Sequence, residues 1–117
     1  MGTRQTTQMD EDFLSLSYSE RKAIISHGTA LRLSDLRNRL FLAESKVRQY
    51  EQKYQTTLSR LEDRGLPDDA GYEMHEDYIM WRHWAETIKE TKQAMEALQK
   101  IALHGLYLGE DPVHAGQ

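Results

Sequence analysis

Residues 33–61 read LSDLRNRLFLAESKVRQYEQKYQTTLSRL, and this stretch decides the fold. Leu33, Leu36, Leu40, Ala43, Val47, Tyr50, Tyr54, Thr57 and Leu61 recur at alternating steps of three and four. An α-helix returns to one face at that spacing, so the stretch predicts a single long helix with one apolar stripe. A second stripe follows at the same spacing: Trp81, Trp84, Ile88, Thr91, Met95, Leu98 and Ala102. Two matched seams joined by a turn predict an all-α protein built on an antiparallel, coiled-coil-like helical hairpin. Folding the chain at residue 68 sets Tyr54 opposite Trp81 and Trp84, Val47 near Ile88, and Leu40 near Met95. The expected hairpin core is Leu33, Leu36, Leu40, Val47, Tyr50, Tyr54, Leu61, Trp84, Ile88, Met95 and Leu98.

Working outward, Gly65-Leu66-Pro67-Asp68-Asp69 is a stop-and-restart signal: glycine at a helix C-cap, proline soon after, and acids placed to cap the next helix. The spacing predicts a first arm over 30–64, a turn over 65–70 and a second arm over 71–104. Upstream, Ser17-x-x-Glu20 reads as a capping box opening a short helix over 18–27, which Gly28 ends, with Thr29 as the next N-cap. The alternative is a continuous helix from Tyr18 that carries Gly28 at a cost of ~1 kcal/mol. Residues 17–104 thus form one helical domain, preceded by a flexible segment over 1–16 and followed by a C-terminal tail over 105–117.

The hairpin does not use all its apolar residues. Leu40, Phe41 and Leu42 are consecutive and point to three sides of one helix, as do Ile79, Met80 and Trp81. Ala94, Ala97 and Ile101 lie beside the second seam. An apolar face wider than about 100° needs a further packing partner. Ile24 and Ile25 of the short helix can cover part of it, and a second protomer the rest, giving a homodimeric four-helix bundle.

At 117 residues the chain holds one small domain, and its 29% charged residues suit a helical protein with much wetted surface. It has no cysteine, so disulfides, thiolate catalysis and cysteine zinc sites are excluded. No apolar run approaches the ~20 residues of a membrane span, and Met1 to Asp12 is unlike a signal peptide, so a cytoplasmic location is expected. The net charge of −4 is unevenly placed. Arg32, Arg37, Arg39, Lys46, Arg48, Lys53 and Arg60 outnumber the acids of the first arm, whereas Glu62, Asp63, Asp68, Asp69, Glu73, Glu76 and Asp77 face only Arg64 around the turn.

No constellation of residues points to catalysis. His75-Glu76 is followed by isoleucine at 79, so it does not open a zincin motif, and Glu76 and His83 stand ~10 Å apart along a helix, too far for one metal ion. Serines lie in caps and on helix faces, and the glycines at breaks rather than in a phosphate-cradling loop. Neither an enzyme nor a cofactor or metal is expected. The basic first arm offers a weaker reading as a nucleic-acid surface, because acids interrupt its charges. Trp81 and Trp84 at helical spacing suit a core, yet an exposed aromatic beside the acidic turn makes an interface anchor.

Glu51-x-Lys53-Tyr54, Thr57-Leu58, Leu61, Gly65, Asp68-Asp69 and Tyr78-x-x-Trp81 together resemble small helical antitoxins of prokaryotic toxin–antitoxin operons. The similarity spans about Leu36 to Leu98. It implies a non-catalytic protein-interaction module that masks a small basic partner such as an RNase toxin, its acidic hairpin tip taking the place of substrate phosphates. The contact set expected on this reading is Asp68, Asp69, Glu73, Glu76 and Asp77, with Tyr72 and Trp81 as anchors. The competing expectation is a dimeric coiled-coil scaffold whose acidic tip is solvated surface.

Overall fold

A computed structural model describes residues 2–104, and side chains over 8–101, as four helices: α1 Gly2–Ser15, α2 Tyr18–Tyr54, α3 Leu58–Arg64 and α4 Tyr72–His104. No strand occurs among the described residues. The tail expected over 105–117 lies outside them, as does the side chain of Ala102. The chain divides into two compact units, Asp35–Met95 and Met1–Ser34 with Glu96–Gln117, and both long helices contribute to each.

In the Asp35–Met95 unit, α2 and α4 pack against each other along the predicted stripes. Leu36, Ala43, Leu61, Trp81 and Thr91 are buried. Of the remaining core expected from the sequence, Leu40, Val47, Tyr50, Tyr54, Trp84, Ile88 and Met95 in this unit are half-buried. Trp81 is the centre: it is 0% exposed, with the Tyr50 ring stacked 5.7 Å away and the Tyr54 ring 6.0 Å away. Those aromatics come from consecutive turns of α2, so one tryptophan closes a two-turn patch of the helix pair.

The first arm is not one helix to Arg64. It breaks after Tyr54, although the 3-4 spacing continues through Thr57 and Leu61. Gln55 takes a left-handed φ of 52°, and Thr57 is extended at φ −102° and ψ 159° with its Oγ1 accepting the Arg60 amide at 3.2 Å. The left-handed residue ends α2 as a glycine commonly would, and Thr57 caps α3. Leu61 is buried by this arrangement. Periodicity alone gave no sign of the break, since neither glycine nor proline stands at 55–57. Gly65 behaves as predicted: its φ is +82° and its amide donates to the Leu61 carbonyl at 2.7 Å, closing α3.

Asp68 and Asp69 do not cap α4. Both sit in a turn closed by the Ala70 amide on the Pro67 carbonyl at 3.0 Å, and the helix starts beyond them, with the His75 amide bonded to the Gly71 carbonyl.

In the other unit, α1 occupies Gly2–Ser15, where the sequence reading expects a flexible segment. Met9 and Phe13 stand one turn apart, and Gln8 bonds the Asp12 carboxylate four residues on at 3.1 Å, a local pattern that supports a helix. Ser17 caps the next helix as expected, accepting the Glu20 amide at 3.1 Å. That helix does not stop at 27. Gly28 lies inside α2, without a positive φ, so the continuous alternative holds. Unlike Gly65, Gly28 has no proline behind it to enforce a stop. Leu33 and Leu98 are half-buried in this unit.

Candidate functional site

The acidic region begins where α2 ends. Lys53 Nζ reaches Glu73 Oε1 and Asp77 Oδ2, both at 2.6 Å, and the Tyr54 hydroxyl donates to the same Asp77 oxygen at 2.5 Å. Lys53 and Tyr54 come from the last turn of α2, and Glu73 and Asp77 from successive turns of α4, four residues apart. One ammonium is thus shared by two carboxylates. Hydrogen bonding to Asp77, then to Glu73, raises the Lys53 pKa. Lys53 first, and then Tyr54, hold the Asp77 carboxyl below its ordinary value. Burial, followed by the Asp77 hydrogen bond, pushes the Tyr54 hydroxyl up. Each shift favours one charge state: a protonated lysine and phenol around an ionised aspartate.

A second connection ties α3 to the opposite side of α4. Tyr78 donates its hydroxyl to Glu62 Oε2 at 2.9 Å, raising the Tyr78 pKa, and Arg82 Nε approaches the same oxygen at 3.6 Å. Arg82 also lies over the Tyr78 ring, 5.9 Å from its centre. Glu62 is therefore partly neutralised within the molecule.

These contacts divide the expected contact set. Asp77 is only 19% exposed and is held by Lys53 and Tyr54. Glu73 shares Lys53 but stays 78% exposed. Asp68, Asp69 and Glu76 are exposed and meet no cation among the described residues. Trp81 is not available as a surface anchor, because the stack with Tyr50 and Tyr54 buries it; the spacing that puts it on the seam is the cause. Tyr72 is available: at the first residue of α4 it is 81% exposed. The sequence reading missed Lys53, Glu62 and Arg82 as organisers of this region. Their roles depend on the helix end after Tyr54, which the spacing does not reveal.

His83 packs edge-on to Trp84 at 5.1 Å, and no three histidines or carboxylates gather as metal ligands among the described residues. No described helix is long and apolar enough to cross a membrane. Comparisons with protein-family models, curated proteins and solved structures each return no match.

Proposed function

We propose that the protein is a non-catalytic interaction module that captures a small basic protein on the surface around the start of α4, in the manner of an antitoxin masking an RNase toxin. The observation that carries this reading is Tyr72, a large aromatic left 81% exposed among the acids Asp68, Asp69, Glu73 and Glu76. Tyrosine loses little side-chain entropy on binding and offers a large contact area, so it suits the anchor, while the acids steer a basic partner and set its orientation. Because Asp77 and Glu73 already share Lys53, the charge open to a partner comes chiefly from Asp68, Asp69 and Glu76.

The module works as a homodimer, in which two α2–α4 pairs form a four-helix bundle. Phe41, Leu42, Ile79 and Met80 remain exposed on the outer sides of the helix pair, which supports such a step.

The test is an affinity capture from the protein's own cells with the wild type and with an Asp68→Lys/Asp69→Lys/Glu76→Lys variant in parallel. Recovery of one small basic protein at fixed stoichiometry by the wild type, and its loss from the variant, is the expected result. Equal recovery by both would remove the acidic surface from the function. A tagged protein that recovers only itself would favour the scaffold reading.

A further inference from the structure

Trp81 fixes which way α4 faces. It is fully buried against Tyr50 and Tyr54 of α2, so the opposite side of α4 looks away from the helix pair. At roughly 100° per residue, positions nine apart stand half a turn apart. Tyr72 and Glu90, nine before and nine after Trp81, therefore mark the outer ridge of α4. Ile79 and His83 lie within about 20° of that line. The two large apolar side chains of the ridge are open to solvent, Tyr72 at 81% and Ile79 at 59%. They stand seven residues apart, about 10 Å along the axis. A shallow hollow lined by Tyr78, Ile79, Arg82, His83 and Glu86 adjoins the second of them.

The charge on this ridge has one sign. Glu90 stands on it, and Glu76 and Glu86 lie about 40° to either side. All three are exposed and make no ion pair among the described residues. Arg82 and Lys89 lie about 80° or more from the line, on the flank shared with Tyr78, and Arg82 is already drawn to Glu62. Asp68 and Asp69 continue the negative charge beyond the helix start.

These features select the occupant. Two such ridges laid together set carboxylate against carboxylate, so a second copy is ill-suited to this row. An extended segment fits poorly too, because its same-side residues recur at about 6.7 Å and a helix offers no free main-chain edge to pair with. A helix with apolar residues seven apart repeats at the spacing of Tyr72 and Ile79, and Lys or Arg beside those positions meet Glu76, Glu86 and Glu90.

We infer that the basic partner lays a helix along this ridge, a Lys- or Arg-rich amphipathic segment whose apolar row covers Tyr72 and Ile79. The inference rests on the proposed capture of a basic protein and names the element that is captured. It carries the contact from the turn at Asp68 and Asp69 along about five turns of α4 to Glu90.

Two labelled synthetic peptides of about 18 residues, long enough to span the ridge, serve as probes. Both have one composition of Leu, Lys, Ala and Gln; the first sets its leucines in a helical row flanked by lysines, and the second scrambles them. Fluorescence anisotropy is read on the wild type, Ile79→Ser, Glu86→Lys/Glu90→Lys and Asp68→Lys/Asp69→Lys, with circular dichroism to check that each keeps its helices. The expected result is binding of the row peptide, weaker by roughly tenfold or more for the scrambled peptide and for the Ile79 and Glu86/Glu90 variants. Loss of the row peptide from the Asp68/Asp69 variant alone confines the contact to the turn, and overturns the ridge while the basic-partner reading stands. Equal binding of both peptides overturns the helix as occupant, since charge alone then suffices. Binding of neither overturns the ridge outright, whereas the basic-partner reading falls separately, on equal capture from cells by the wild type and the Asp68/Asp69/Glu76 variant. An Ile79→Ser protein that binds the peptide normally but dissociates a wild-type dimer in sedimentation velocity overturns the inference and assigns the ridge to a second copy.

Discussion

Gln55 and Gly65 both leave the ordinary backbone regions, and the consequences differ with the side chain each carries. Gly65, at φ +82° and ψ 161°, occupies a region open almost solely to glycine. A Cβ there meets nothing within 4 Å, so the penalty of Gly65→Ala is purely torsional, and a loss of about 1–3 kcal/mol is expected. Gln55, at φ 52°, already bears such a penalty. Its side chain returns only one exposed hydrogen bond, from Nε2 to the Gln52 carbonyl at 2.7 Å. Gln55→Gly relieves the left-handed strain and raises the entropy of the unfolded chain, terms of opposite sign, so a net gain of about 0.5 kcal/mol is expected. Urea denaturation at constant m-value checks the pair. A Gly65→Ala variant as stable as the wild type would mean that the turn after α3 relaxes to an ordinary conformation.

At the scale of the helix, the seam was legible because one repeat served both long elements, and each residue expected at the core of the described chain is buried or half-buried. The ends of the elements were less legible, for identifiable reasons. Gly28 looked like a stop because glycine is a poor helix former, but a helix ends where several signals coincide, and here only one is present. Gly28→Ala is expected to stabilise α2 by roughly 0.5–1 kcal/mol, since a Cβ at that position meets nothing within 4 Å. An unchanged urea midpoint would show that the helix is not continuous there in solution. The break at Gln55–Thr57 escaped the spacing because neither glycine nor proline marks it; it shows in the left-handed φ of Gln55 and the Thr57 cap on α3. The link between α2 and α4 at Lys53 also has a defined pH window. The lowered pKa of Asp77 gives stability that is present above the ordinary carboxylate range and is lost as pH falls through the depressed folded value. The raised values of Lys53 and Tyr54 give stability that is complete below their unfolded pKa values and is lost as pH rises through the folded ones. The connection is therefore intact across neutral pH and weakens at both extremes. In Lys53→Met, Asp77 keeps only Tyr54 as a partner, so the acid limb of a stability–pH profile is expected to move to higher pH. An acid limb that stays in place would show that Tyr54 alone sets the Asp77 carboxyl.

For the whole molecule, the division between what the sequence revealed and what it hid follows the range of the interactions. Composition excluded cysteine chemistry, and patterning placed α4 and most of α2, because both depend on local order. The charge pattern around the start of α4 was legible only in part. Asp68, Asp69, Glu76 and Tyr72 stand exposed, but which acids are already neutralised depends on Lys53 and Arg82, whose partners are 20 or more residues away. Trp81 shows the same limit, since its spacing fits a core and an anchor equally until Tyr50 and Tyr54 are seen to cover it. The chain also leaves much apolar surface open: Phe41 is 69% exposed and Ile79 59%. A mean hydropathy of −0.76 leaves few apolar residues with which to build a core, so exposing these is costly unless a second copy covers some of them. If folding and pairing are linked, the thermal midpoint depends on concentration, because dissociation to two unfolded chains is favoured by dilution. For a dimer of chains this size the unfolding enthalpy implies a rise in Tm of about 3 °C per tenfold increase in protein. Differential scanning calorimetry over two decades of concentration checks this. A midpoint independent of concentration would mean that each chain is stable alone and that its exposed apolar residues serve some other contact.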